Sequence, residues 1–226
     1  MLSDASKAFS QVFTPPFRAV LWKSLGLTIA LLIGLFVAAE ALLTTFLALP
    51  FPWLDTIISV VAGLGLFVGL GFLIAPVTSI FAGLFLDEIA EVVEKTDFPQ
   101  DPPGKAMPLG KSLLLTVKFA GVVILVNIGV LLLLLLPGVN LIAFFVANGY
   151  LLGREYFEFA AMRFMSPRDA RRFRRENGTT VFLAGLVIAG VLAVPILNLI
   201  TPLFATAFMV RLNKRLSGSL PANGGF

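Results

Sequence analysis

Four long apolar stretches constrain this chain more than any other feature, and two of them are broken in the same way. A helix needs about 20 apolar residues to cross the hydrocarbon core of a bilayer. Residues Ser24 to Leu49 meet that length and stop at Pro50-Phe51-Pro52. Residues Thr56 to Leu86 exceed it and carry Pro76. A helix longer than a core of about 30 Å is expected to tilt, to kink at Pro76, or to project into water. The other two stretches are interrupted, one at Pro137-Gly138-Val139-Asn140 and one at Pro195-Ile196-Leu197-Asn198. Beyond each break, Leu141–Leu152 and Leu199–Val210 supply only about a dozen residues, too few for a crossing.

Composition closes off most other classes. Hydrophobic residues are 58% and charged residues 13% of the chain, the latter against roughly 25% in a soluble domain. So much apolar surface cannot be hidden in a soluble fold of this size, and it excludes a disordered chain as well. There is no Cys and no His. Disulfides, thiol nucleophiles, His-containing triads and Cys or His zinc sites are therefore excluded. The expectation is an all-α integral membrane protein that is not an enzyme and uses no cofactor or metal.

Charge placement decides between crossings and returns. The spans are read as 24–49 and 56–86, and the broken stretches 112–152 and 179–210 as re-entrant helical hairpins that enter and leave on one side. Residues 50–55 and the two bends then lie together on the outer side and carry no Lys or Arg. The basic residues fall toward the other face, as the charge rule for cytoplasmic loops asks. Single crossings would instead put the arginines of 168–175 outside. Both termini are thus expected in the cytoplasm, and 216–226 is expected to be a disordered tail. A signal peptide is not expected, because the first apolar run starts late and is too long.

The two breaks align residue by residue. Pro137 and Asn140-Leu141-Ile142 correspond to Pro195 and Asn198-Leu199-Ile200. Pro ends the first arm, and Asn is expected to cap the second. Thr201-Pro202 offers a second helix start. Such a bend would hold a helix N-terminus, with its partial positive charge, at membrane depth. The plainer alternative is a hairpin that only packs the bundle.

Amphipathic helices are expected on the cytoplasmic side. Within 1–20, residues 5–13 place Ala5, Ala8, Phe9, Val12 and Phe13 on one face, with Trp22 as an interfacial anchor. Leu86–Glu94 is acidic, and Ser166-Pro167-Arg168-Asp169 opens a helix with five arginines. Those arginines set topology, bind anionic lipid, or pair with the acidic helix. Gly65-x-x-x-Gly69 is expected to pack closely against another helix. The basic stretch is too short to suggest nucleic acid. Polar groups at membrane depth are the candidate site residues: Glu40 in the first span, and Asn127, Asn140, Asn148, Asn198 and Thr201 in the hairpins. Arg18 precedes the first span, where its guanidinium either meets lipid headgroups or offers a fork of donors to an oxyanion.

Together these residues resemble the CysZ sulfate permease family, which shares a domain with etoposide-induced membrane proteins. The resemblance rests on Pro16-Phe17-Arg18, on Gly149-Tyr150-Leu151-Leu152-Gly153-Arg154-Glu155-Tyr156-Phe157-Glu158, and on Asn198 through Val210. It covers about residues 3–215. Ala19 stands where the family often has a second arginine. Residues 154–158 replace the Tyr-Leu-Asp-Tyr-Pro signature of many permeases, so the likeness is to a divergent branch. The resemblance implies a bacterial inner-membrane protein that takes up sulfate for cysteine synthesis. It implies sulfate contact at the start of the first long helix, near Arg18. The polar groups at membrane depth, read from the residues themselves, add Asn140, Asn198 and Thr201 along the path, with Glu40, Asn127 and Asn148 as further polar groups. Half-depth hairpins cannot enclose a path alone, so a homo-oligomer in contact with membrane lipid is expected. The alternative is a non-transporting membrane scaffold that shapes lipid or assists assembly.

Overall fold

A computed structural model describes residues 1–46, 52–106 and 139–218. The described residues form helices and connecting turns, with no strand among them. Asn127 and the first arm of the hairpin expected over 112–152 lie outside the described residues.

Helix α1 (Leu2–Gln11) buries Ala5 and Ala8, and Val12 follows on the same face. It begins three residues earlier than the expected stretch and ends two earlier. Asp4 in its first turn meets the N-terminal ammonium at 3.1 Å, a favourable place for an acid. Helix α2 (Pro15–Phe46) starts well before Ser24. The reason is Pro15-Pro16: proline at the first helical positions gives up no hydrogen bond and presets φ. Arg18 therefore sits in the first turn of α2, its N–H donating to the Thr14 carbonyl at 3.0 Å, and not ahead of the helix.

At 32 residues, α2 is about 48 Å long, and residues Pro15–Leu42 are long and apolar enough to cross a membrane. Most of its apolar side chains face outward, among them Ile29, Ile33 and Val37. Only one stripe is covered: Phe17, Val20, Ser24, Thr28 and Leu32. Helix α3 (Pro52–Gly83) packs beside it. The Thr78 hydroxyl donates to Thr28 Oγ at 3.0 Å, while Ser24 and Thr28 donate to their own helix at i−4. In an apolar setting a side-chain bond of this kind contributes about 0.6 kcal/mol.

Helix α3 runs unbroken across Pro76, so the break falls later than a proline kink would put it. It lies at Leu84-Phe85, where both N–H groups make i−3 turns. Helix α4 (Leu86–Asp97) then turns Ile89, Ala90, Val93 and Glu94 inward.

Helix α5 (Val139–Met162) has 24 residues, not the expected dozen. Past Leu152 it stays amphipathic. Gly153, Phe157, Ala160 and Ala161 are buried, while Arg154 and Glu158 pair at i,i+4 on the other side. Only its first part is apolar. Ser166 caps helix α6 (Pro167–Glu176) by accepting from the Asp169 N–H, with Pro167 in the first turn, as the sequence pattern indicates. Helix α7 (Gly178–Leu192) follows at once; then come the short α8 (Pro195–Asn198) and α9 (Thr201–Gly218). Residues 216–218, expected in the tail, complete α9.

Helix α9 is the core of the described fold. Every residue from Thr201 to Asn213 is buried. Phe204 lies 5.7 Å from Phe208 and 6.2 Å from Phe9 of α1, ring centre to ring centre. Around it stand α1, α4, α5 and α7.

Helices α5 and α7 cross with almost no space between their backbones. A methyl group at Gly185 would overlap the Gly149 carbonyl oxygen, and one at Gly153 would lie 2.6 Å from the Val181 carbonyl oxygen. The small-residue crossing is therefore Gly149-x-x-x-Gly153 against Gly185. The expected one is not formed among the described residues, where methyl groups at Gly65 and Gly69 would meet no neighbour. Helix α3 turns other positions toward its partners, with Leu70, Thr78 and Ala82 buried. We predict that Gly185→Ala destabilises the protein by about 1–3 kcal/mol through overpacking, whereas Gly65→Ala and Gly69→Ala leave thermal unfolding in detergent unchanged. Equal melting points for all three variants would refute the crossing.

Candidate functional site

Among the described residues, no hydrogen bond or ion pair joins any two of the residues expected to meet substrate. Arg18 is exposed and has no ion-pair partner among the described residues. Asn148 turns back on its own helix, its amide donating to the Phe144 carbonyl at 2.9 Å. Asn140 lies inside α5, not ahead of it, and Asn198 ends α8 without opening α9. Neither is therefore the expected cap. In both cases the asparagine lies within a helix and off the capping position. The Asn198 side chain is half-buried and makes no hydrogen bond among the described residues. Thr201 is buried at the start of α9 and donates its hydroxyl to the Leu197 carbonyl at 3.1 Å. Glu40 is half-buried, with its carboxylate over Gly63 of α3: a methyl group at Gly63 would come within 2.7 Å of Glu40 Oε1.

What the fold does bring together is charge, at the end of the molecule that holds α4. Arg163, at the end of α5, is buried against Glu94. Its Nε donates to Glu94 Oε1 at 2.7 Å, its Nη2 to Oε2 at 3.3 Å, and its Nη1 to Asp87. The Gly104 N–H also donates to Glu94, at 2.9 Å, and the Arg163 carbonyl accepts from the Lys105 N–H at 2.8 Å. Thus the loop after α4 is stapled over the pair. A methyl group at Gly104 would come within 2.8 Å of Glu94 Oε1 and 3.0 Å of Arg163 Cβ, so the pair would have to shift to admit one. An open cleft of about 480 Å³ beside this staple is lined by Pro102, Pro103, Lys105 and residues 162–166.

A second buried cation, Arg211 of α9, donates through Nη2 to Asp97 of α4 and to Gln11 Oε1 of α1 at 2.6 Å. Burial pulls its pKa below the ordinary arginine range, and Asp97 and Asp4 oppose that shift. Arg215 meets Asp4 at 2.6 Å, and Lys214 meets Asp101 at 3.0 Å with its ammonium 4.1 Å from the Phe164 ring centre. Lys23 of α2 reaches Glu88 of α4 at 3.1 Å.

These partners sort the cations. The donors of Arg163 point at Glu94 and Asp87 and those of Arg211 at Asp97, Gln11 and Ala207, with the buried Arg211 Nε left without a partner among the described residues. Among the described residues, Lys7, Arg18, Lys105, Arg168, Arg171 and Arg175 have no ion-pair partner. The buried network was not anticipated from the sequence, although a signal was present. Asp87, Glu94 and Asp97 fall on the same stripe of α4 as buried Ala90, whereas Glu88, Glu91 and Lys95 fall outside it.

Removing one member of a buried pair leaves an uncompensated charge, at about 3–5 kcal/mol. We predict that Arg163→Ala lowers stability by that order, and that Arg163→Met combined with Glu94→Met recovers most of it. Thermal unfolding of the detergent-solubilised protein reads both effects; a tolerated Arg163→Ala would show that the network carries little.

The family described as "Sulfate transporter CysZ/Etoposide-induced protein 2.4" matches residues 4–202. This is a transporter-type family, not an enzyme family. No curated protein is similar enough to match the chain. With the match running from α1 into the start of α9, the chain belongs to the sulfate transporter CysZ/etoposide-induced protein family.

Proposed function

We propose that the chain is a permease of the bacterial inner membrane that passes sulfate or a similar oxyanion as a channel or facilitator, supplying cysteine biosynthesis. The observation that carries this reading is the family match over residues 4–202. The architecture it needs is two spanning helices and two half-depth hairpins. The ionic end of the molecule supports the second hairpin. Arg163 at the end of α5 and Arg211 near the end of α9 both pair with α4, through Asp87, Glu94 and Asp97. Asp87 and Asp97 are about 15 Å apart along α4, half the thickness of a bilayer core. The chain between them leaves and comes back to the same side. A single crossing would separate the two ends by the full core.

Sulfate is costly to dehydrate, so its binding has to be spread over many dipoles. Arg18 contributes a guanidinium with no ion-pair partner among the described residues, in the first turn of α2. Asn198 contributes an amide free of protein partners among the described residues. The Thr201 hydroxyl proton is committed to Leu197, so the contribution there comes from the peptide dipoles that open α9. Asn140 stands at the corresponding position of the first hairpin, with Glu40, Asn127 and Asn148 as further polar groups along the path. A homo-oligomer completes the enclosure.

A scaffold that wedges one leaflet is the second reading. It is favoured by the outward apolar residues Leu2, Phe13 and Trp22 around α1. Flux of labelled sulfate into liposomes containing only this protein separates the two. The permease reading predicts uptake above empty vesicles. It also predicts that Arg18→Ala weakens sulfate binding about tenfold, in line with loss of a charged hydrogen-bond donor. No uptake, together with curvature-dependent vesicle association, would favour the scaffold.

A further inference from the structure

Helix α6 carries its arginines at 168, 171, 172 and 175, the i, i+3, i+4, i+7 spacing that puts all four on one face. The opposite face holds buried Ala170 and Phe173, the latter 5.6 Å from Phe157 of α5, ring centre to ring centre. The fifth arginine, Arg174, lies to one side and pairs with Glu158 at 2.7 Å. On the outward face, Arg172 has only the exposed Glu176 of its own helix. Arg168, Arg171 and Arg175 have no acidic partner among the described residues.

The acidic helix α4 does not supply one. Each of its acids is engaged elsewhere: Asp87 and Glu94 by Arg163, Glu88 by Lys23, Glu91 by Lys95 and Asp97 by Arg211. Arg168 stands in the first turn, where the field of the helix disfavours a cation. A counter-charge from outside the chain would offset that cost.

The position of α6 says which counter-charge. One residue, Asn177, separates it from α7, which is apolar and exposes Leu183. Arg175 is eight residues before Leu183, about 12 Å along a helical path. On α5, which also packs on α6, Tyr150 is exposed. Guanidinium groups with no acidic partner among the described residues, on a helix that leads directly into an apolar one, stand where phospholipid phosphates are.

We propose that the outward face of α6 is a docking surface for the headgroups of anionic phospholipids, with Arg168, Arg171 and Arg175 as its phosphate-binding residues. This rests on the membrane reading of α7 but needs no transport. The face holds the α5–α7 corner against one leaflet.

The test measures retention of phosphatidylglycerol and phosphatidylcholine by the full chain purified in neutral detergent, beside an Arg168→Gln, Arg171→Gln, Arg175→Gln triple variant. The wild type is expected to prefer phosphatidylglycerol. The variant is expected to bind it about tenfold or more weakly, with phosphatidylcholine retention and melting temperature unchanged. A triple Lys variant, which keeps the charge, is expected to retain most of the preference and guards against a folding defect. Equal phosphatidylglycerol retention by wild type and Gln variant would overturn the proposal. So would a variant that loses inorganic sulfate binding and keeps the lipid, or one that loses only an acidic protein partner. Sulfate flux read on the same wild-type sample separates the two claims: no flux with an intact lipid preference would remove the permease reading and support this one.

Discussion

The buried ion pairs made by α4 are the constraint on which the rest of the arrangement depends. Two arginines that belong to different helices, Arg163 and Arg211, are taken out of water and matched by acids on one twelve-residue helix. Apolar contact between α5, α9 and α4 permits sliding. A buried guanidinium that loses its carboxylate does not, because the cost of an unpaired buried charge is several kcal/mol. The pairs therefore set the register of α5 and α9 against α4 and keep their ends on one side of the molecule. Gln11 and Asp4 bring α1 into the same assembly, and Lys23 ties in the start of α2.

Away from that end the molecule is held by a different interaction. Between α5 and α7 the backbones touch at Gly149, Gly153 and Gly185, and between α2 and α3 a threonine pair bridges an apolar contact. In lipid there is no hydrophobic gain from bringing two apolar helices together, so close backbone packing and hydrogen bonds have to do it. The described helices thus have a polar end fixed by charge and an apolar body fixed by shape. The basic residues divide along the same line. Arg163 and Arg211 are buried and paired, while Arg18, Arg168, Arg171 and Arg175 have no ion-pair partner among the described residues.

Much of this was legible from the residues. The length of the apolar runs pointed to α2 and α3, and Ser166-Pro167 to the start of α6, because capping and proline chemistry are local. The misses came where distant contacts override local signals. Pro15-Pro16 open a helix as well as closing one, so α2 begins ahead of Ser24. Asn140 and Asn198 looked like caps, yet both lie within a helix, because a side chain that can cap does not by itself fix where a helix starts. Gly65 and Gly69 have the right spacing for a tight crossing and meet no neighbour among the described residues, because spacing alone does not say which face meets a neighbour. Among candidate site residues, the sequence singled out the polar groups in apolar runs. It could not indicate that Arg163 and Arg211 would be consumed by α4, since that depends on residues about 70 and 110 positions away being folded against them.

The side on which each segment lies is the most direct test of the account. The chain contains no Cys, so single cysteines introduced at Gln100, Glu176, Ser217 and Asp55 report their surroundings without background. With an impermeant thiol reagent added to intact cells, positions 100, 176 and 217 should all be protected and position 55 labelled. Labelling at 176 with protection at 217, or the reverse, would mean that the chain between α6 and the end of α9 crosses the bilayer once, and would contradict the proposed hairpin.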